Sequence, residues 1–290
     1  FANNINIGNQ AGFQATTAEH TINLGYQSGY SSTADNNVFI GNQAGLNNTS
    51  GLENTFIGVN AGFGNTTGGY STIIGVNSGF SNTADYNVFI GYHAGFSNTT
   101  GSLNTFIGSN CGRYNVIGAY NAFFGINSGH KNTASNNTCI GINSGYNNQS
   151  GGDNTFLGSH SGHWSTGSQN TFIGGASGWN NTANNNTFIG FSSGNANTSG
   201  NNNTFVGWKS GLSNNLGIEN TFVGHAAGYS NIASHNTFIG HHSGVNNTSG
   251  QFNVFVGHNC GVNNTTGEQN TMMGHGAGYF NTTNHNTFIG

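Results

Sequence analysis

A glycine closes the same short segment every 16 or 17 residues throughout this chain. The series is Gly8, Gly25, Gly41, Gly58, Gly75, Gly91, Gly108, Gly125, Gly141, Gly158, Gly174, Gly190, Gly207, Gly224, Gly240, Gly257, Gly274 and Gly290. A fixed short period signals a repeat architecture in which each unit buries its apolar face only against its neighbours. Asn54-Thr55-Phe56-Ile57-Gly58 represents the segment. Aligning the repeats on the glycine turns the sequence into columns.

The residue before the glycine is always large and apolar, as at Ile40, Ile57, Ile90, Leu157, Val206 and Met273. Two residues earlier stands Thr, Val, Ile or Ala, so alternation of period 2 places both columns on one face of a β-strand. That face is expected to look into a dry core. The slot between them is expected on the opposite face. It holds Phe39, Phe56, Phe89, Phe106, Phe123, Phe156, Phe172, Phe188, Phe205, Phe222, Phe238, Phe255 and Phe288, with Ile73, Cys139 and Met272 in three repeats and Asn6 and Asn23 in the first two. A stripe of phenylalanine left in water is a feature soluble monomers avoid. These residues are therefore expected to form a seam against another chain or another wall of the same assembly.

The slot before Thr is nearly always Asn, as at Asn54, Asn87 and Asn104, and stacked amides can hydrogen-bond along a ladder of strands. A small residue and a second glycine follow the closing glycine, as in Ala44-Gly45 and Ser144-Gly145. They supply positive-φ turns and let a second wall approach closely. The remainder of each repeat, such as Asn65-Thr66-Thr67-Gly68, reads as polar turn.

One such period accommodates two short strands and two turns. The expected fold is all-β: a parallel, in-register β-roll or β-solenoid, about 85 Å long at ~4.8 Å per rung. Helix is not expected, because no apolar 3.6 period exists and glycine is everywhere. Steps of 17, 16 and 17 residues give a 50-residue superperiod, and one residue is lost near Gly174. A single 50-residue coil is rejected, since at ~3.3 Å per residue its sides would be too long for Ile and Phe to fill the middle. Residues 1–290 read as one uncapped repeat domain. The chain starts at Phe1 in mid-repeat and carries no signal-like segment, so it is expected to be a window of a longer repetitive protein.

Composition narrows the function. Only 3 Lys+Arg and 7 Asp+Glu stand among 290 residues. Nucleic-acid binding needs clustered cations to neutralise phosphates and is excluded. No apolar stretch approaches ~18 residues, so no membrane span lies within the window. Gly190-Phe191-Ser192-Ser193-Gly194 matches a nucleophile elbow but repeats a turn found throughout, and carboxylates are nearly absent, so no catalytic residue and no enzyme activity is expected. Cys111, Cys139 and Cys260 fall in packing slots and read as buried thiols rather than a disulfide or metal set. No cofactor is expected.

Three features carry candidate binding chemistry. Sequons at Asn47, Asn65, Asn98, Asn136, Asn148, Asn180, Asn197, Asn246, Asn263 and Asn281 are candidate glycosylation sites, and they also suit turns on conformational grounds alone. Five residues after the glycine runs an aromatic column that includes Tyr30, Phe63, Phe80, Phe96, Tyr146, Trp179, Tyr229 and Tyr279. Its rings either cover the edge of the roll or present faces to sugars or to a neighbour. His225, His241, His258 and His275 share the slot after the glycine in four consecutive rungs. That column is either solvated or able to hold a soft metal ion.

Asn104-Thr105-Phe106-Ile107-Gly108 and its copies resemble the repeats of large bacterial surface proteins described as tail-fibre-like. They also resemble the Val-Ala-Ile-Gly-type head repeats of YadA-like trimeric autotransporter adhesins. The spacing is longer than is typical of those heads. The resemblance implies a trimeric, extracellular, cell-surface fibre without catalysis. The partners expected are further copies of the chain, in a trimer or an end-to-end or lateral filament, with glycans or a host surface beyond. The reading is thus a structural shaft or head of a fibre or adhesin, the alternative being a carbohydrate- or surface-binding module that uses the aromatic column.

Overall fold

The structure is a computed structural model and describes residues 3–290. Every regular element is a three-residue parallel strand, one per repeat, and no helix occurs among the described residues. None is therefore long and apolar enough to cross a membrane. The fold is a β-solenoid. Residues up to Gln149 and residues from Ser150 onward form two compact units.

In the first unit nine strands, from Ile5–Ile7 to Thr138–Ile140, pair in strict register, so that Phe89 meets Phe106 and Phe106 meets Phe123. In the second unit nine strands, from Thr155–Leu157 to Thr287–Ile289, pair the same way, with Phe188 on Phe205 and Phe205 on Phe222. The sequence suggests two strands per rung. Only one forms. The opposite wall is a run of turns tied rung to rung by backbone hydrogen bonds such as Gly211 N–H to the Ala227 carbonyl, 3.0 Å.

The two faces of the strand are the reverse of the sequence expectation. Phe39, Phe56, Phe89, Phe106, Phe156, Phe172, Phe188, Phe205, Phe222, Phe238 and Phe255 are all 0% exposed, inside the single chain. They are its core and are not available as a seam between chains. Phe288, in the last rung, is partly exposed. The Ile column instead faces outward, half-buried or exposed. Each rung is so narrow that one side chain fills it. A phenyl ring does so by lying flat on the next, with ring centroids 4.8 Å apart for Phe188–Phe205 and Phe205–Phe222, which matches the rung spacing.

The opposing wall must be nearly bare to admit the ring. A Cβ on Gly211 would stand 2.5 Å from Phe205 Cδ2 and Cε2, and Gly211 also sits at φ +59. The small residue before it seals the wall to the strand: Ser210 Oγ donates to the Phe222 carbonyl at 3.1 Å. Asn6 and Asn23 occupy the interior slot in the first two rungs, where Asn23 Nδ2 donates to Asn6 Oδ1 at 2.8 Å in place of ring stacking. Both stand in the column that faces the coil interior, Asn23 buried and Asn6 exposed in the first rung, and do not mark an altered partner face.

Two asparagine ladders close the rest of the interior. The one expected before Thr is present: Asn203 accepts from Asn220 N–H, and its Nδ2 donates to the Gly217 carbonyl. A second ladder lies where the sequence reads as plain turn. Asn65 Nδ2 donates to Asn48 Oδ1 at 3.1 Å and to the Gly68 carbonyl at 2.8 Å, and Asn98 and Asn115 repeat the arrangement.

The superperiod follows from the same hydrogen bonds. In 17-residue rungs the turn carbonyl that receives the amides belongs to glycine, as at Gly101, except in the first rung, where it is Ala18. In 16-residue rungs it belongs to alanine one position earlier, as at Ala134. The next residue of the short rung caps a backbone N–H of the rung before it. Asp85 takes Gly69 N–H, Ser135 takes Ala119 N–H and Ser234 takes Ile218 N–H. The residue lost before Gly174 shortens one glycine rung to 16, and Gly167 then takes the alanine place and accepts from Asn154 Nδ2 at 2.8 Å. Ser165 stands in the second ladder there in place of Asn.

Candidate functional site

With Phe inside, the outward strand face becomes an unpartnered surface of the first unit. Three columns build it. Ile57, Ile74, Ile90, Ile107, Phe124 and Ile140 form the middle one, Thr55, Thr72, Val88 and Thr105 flank it, and the slot after the glycine adds Val59, Val76, Tyr92, Ile126 and Ile142, with Asn42 and Ser109 also in that slot. Period 2 puts all three on one side. Ile126 is 51% exposed and Tyr92 52%. No charged residue occurs in any of the three columns of this unit. An exposed, uncharged and largely apolar stripe of this kind marks an interaction surface in a soluble protein.

The aromatic column runs along an edge of each unit. Tyr30, Phe63, Phe80, Phe96, Tyr146, Trp179 and Tyr229 are half-buried, and Tyr279 is exposed. The rings lie on one another: Phe63–Phe80 at 4.9 Å with planes 3° apart, Phe80–Phe96 at 5.1 Å, His130–Tyr146 at 4.7 Å. Their faces are thereby occupied by neighbouring rungs, which leaves mainly edges to solvent. All three basic side chains of the sequence also pack on rings. Arg113 lies over Phe96 and Tyr114, Lys131 over Tyr146, and Lys209 over Trp208 at 4.3 Å. Each is held by cation–π attraction rather than presented as a free charge. A shallow recess of about 360 Å³ lies among Tyr114, Lys131, Thr133 and Gln149.

The sequons divide by burial. Asn65, Asn98, Asn148 and Asn197 are 0% exposed in the second amide ladder, so these candidates are corrected: a glycan on the side-chain nitrogen would require the ladder to open. Asn136, Asn180 and Asn246 are exposed, and Asn47, Asn263 and Asn281 half-buried. The exposed Asn136, Asn180 and Asn246 each stand one residue before a buried ladder Asn (Asn137, Asn181 and Asn247), a register that the sequon itself does not encode.

Ser192 of the elbow-like motif is nearly buried at φ 54 in a turn, and Ser193 donates to the Phe205 carbonyl; no helix follows. The three cysteines are free and buried, as expected. Burial raises the thiol pKa of Cys111 and Cys139 far above the usual range and pushes Cys260 up to about 11. Because the thiolate is the reactive form, all three are expected to stay unmodified by a thiol-specific disulfide reagent at neutral pH until denaturant is added. Prompt labelling of the native chain would refute this.

The histidine column is a continuous stack on the second unit. His225–His241 centroids are 4.8 Å apart, His241–His258 5.0 Å and His258–His275 5.0 Å, with Trp208 capping His225 at 4.5 Å. A fifth ring, His242, lies beside it. A second cluster gathers His160, His163, Trp164 and Trp179; burial first, then the neighbouring His160, lowers His163 to about 4. No protein-family model matches the chain, and no curated protein matches it.

Proposed function

We propose that this chain is a structural repeat element of an extracellular fibre or adhesin-type appendage, without catalysis, whose copies associate through the outward Ile/Val face. The charge-free apolar stripe of the first unit carries this reading. Exposed in register on successive rungs, such a stripe is self-complementary and suits the repeated, closed or filamentous contacts of homo-oligomers. The cell-surface location and three-fold stoichiometry rest on the resemblance to surface-protein repeats. The core asks for no partner, because nearly every rung buries its own interior side chain, a phenyl ring in most and Ile73, Cys139 or Met272 in others. Association is therefore driven by the outer face.

Replacing Ile57, Ile74, Ile90 and Ile107 together by asparagine tests this. Each buried side chain of that size contributes roughly 1.5–3 kcal/mol. The variant is expected to keep its β-type circular dichroism and to sediment as a single chain while the parent sediments as an assembly. A parent that sediments as a monomer, or a variant that keeps the assembled mass, would refute the reading.

A further inference from the structure

The fifth histidine changes what the column can do. His242 is tied to the previous rung by its backbone N–H, which donates to the His225 carbonyl at 2.9 Å. Its backbone sits at φ 55, one of two non-glycine corners that recur in each rung. Its ring lies 4.0 Å from that of His241 and 5.3 Å from that of His225, tilted 37° and 51° to them. One ring nitrogen from each of His225, His241 and His242 falls within 4.8 Å of the other two. A straight stack of parallel imidazoles points its nitrogens side by side. The tilted third ring makes the nitrogens converge.

We propose that His225, His241 and His242 form a three-imidazole site for a borderline divalent transition ion of the zinc, nickel or copper class. The donor set selects that class, since imidazole suits these ions and hard cations need oxygen ligands. Three neutral ligands with a fourth position left to water is a known zinc arrangement, with metal–nitrogen bonds of about 2.0–2.1 Å. Closing on an ion draws the three nitrogens together, and the imidazoles, two of them on exposed residues, can turn about torsions that are broad and soft. The rungs hold their backbones in register, so the ordering needed on binding is small. The groups facing the cluster are Trp208, with Lys209 over its ring, and His258. Burial first, then His241, His225 and His258, holds the pKa of His242 below the ordinary histidine value.

Zinc chloride titrated calorimetrically into the untagged full chain tests the site. At about pH 7.5 one ion per chain is expected, with affinity falling about tenfold or more at about pH 5.5 as protons compete for the imidazoles. His242→Ala is expected to weaken binding about tenfold or more. His275→Ala, which removes a ring of the same stack outside the cluster, is expected to change it less than about twofold. Unchanged circular dichroism shows that both variants fold. Absence of saturable binding, equal losses in the two variants, or one ion per two chains with a doubled mass would each overturn the proposal.

Discussion

Replacing Phe205 by alanine is expected to destabilise the second unit by about 3–5 kcal/mol, the range for truncating a buried phenylalanine. The ring is 0% exposed, stacks on Phe188 and Phe222 at 4.8 Å each, and covers Gly211 closely enough to exclude a Cβ there. A narrow rung offers no other side chain to collapse into the void. The adjacent Val206, on the outward face, is half-buried. Val206→Ala is expected to cost under about 1 kcal/mol in an unassembled chain. Urea denaturation of the two variants below the concentration at which copies associate separates the faces. Equal losses, or a loss under about 1 kcal/mol for Phe205→Ala, would return the Phe column to the outside.

Replacing Asn203 by aspartate is expected to destabilise the chain by about 3–5 kcal/mol at neutral pH, as an uncompensated buried charge does. Asn203 is 1% exposed. It accepts from Asn220 N–H at 2.9 Å while its Nδ2 donates to the Gly217 carbonyl at 2.8 Å. A carboxylate keeps the first bond and sets negative oxygen against the Gly217 carbonyl. The folded state thus favours the protonated acid, which can still donate, and raises the folded pKa of the introduced carboxyl above the unfolded value near ~3.9. The sign follows from linkage. Stability is retained below about pH 3.9 and is lost as pH rises, by about 1.4 kcal/mol per unit until the folded pKa is reached. Denaturation midpoints of variant and parent should coincide near about pH 3 and diverge above it. A difference independent of pH would show that the amide does not donate to a buried carbonyl.

The glycine period, the strand positions, the parallel register and the first asparagine ladder were legible in the sequence because they are local or strictly repeated. Thr-Phe-Ile before a glycine is extended wherever it occurs, and a period of 16 or 17 residues leaves the next copy only one place to pair. The near-absence of charge and the buried thiols were equally plain. Period 2 divides a strand into two faces, but it does not say which faces inward, and here both are apolar. Closure of the coil decides that. The return wall passes close enough to the strand to leave one flat slot per rung, lined by Gly211 and its equivalents, and a stacked phenyl ring fills it. The Ala-Gly and Ser-Gly pairs were the sequence signal, because a bare wall implies a large planar partner opposite. The second ladder, Asn48 on Asn65, and the convergence of His242 on His225 join residues 17 apart that look like separate turns in one dimension. Only the stacking of rungs brings their side chains together, and with it an outward Ile face and a histidine cluster.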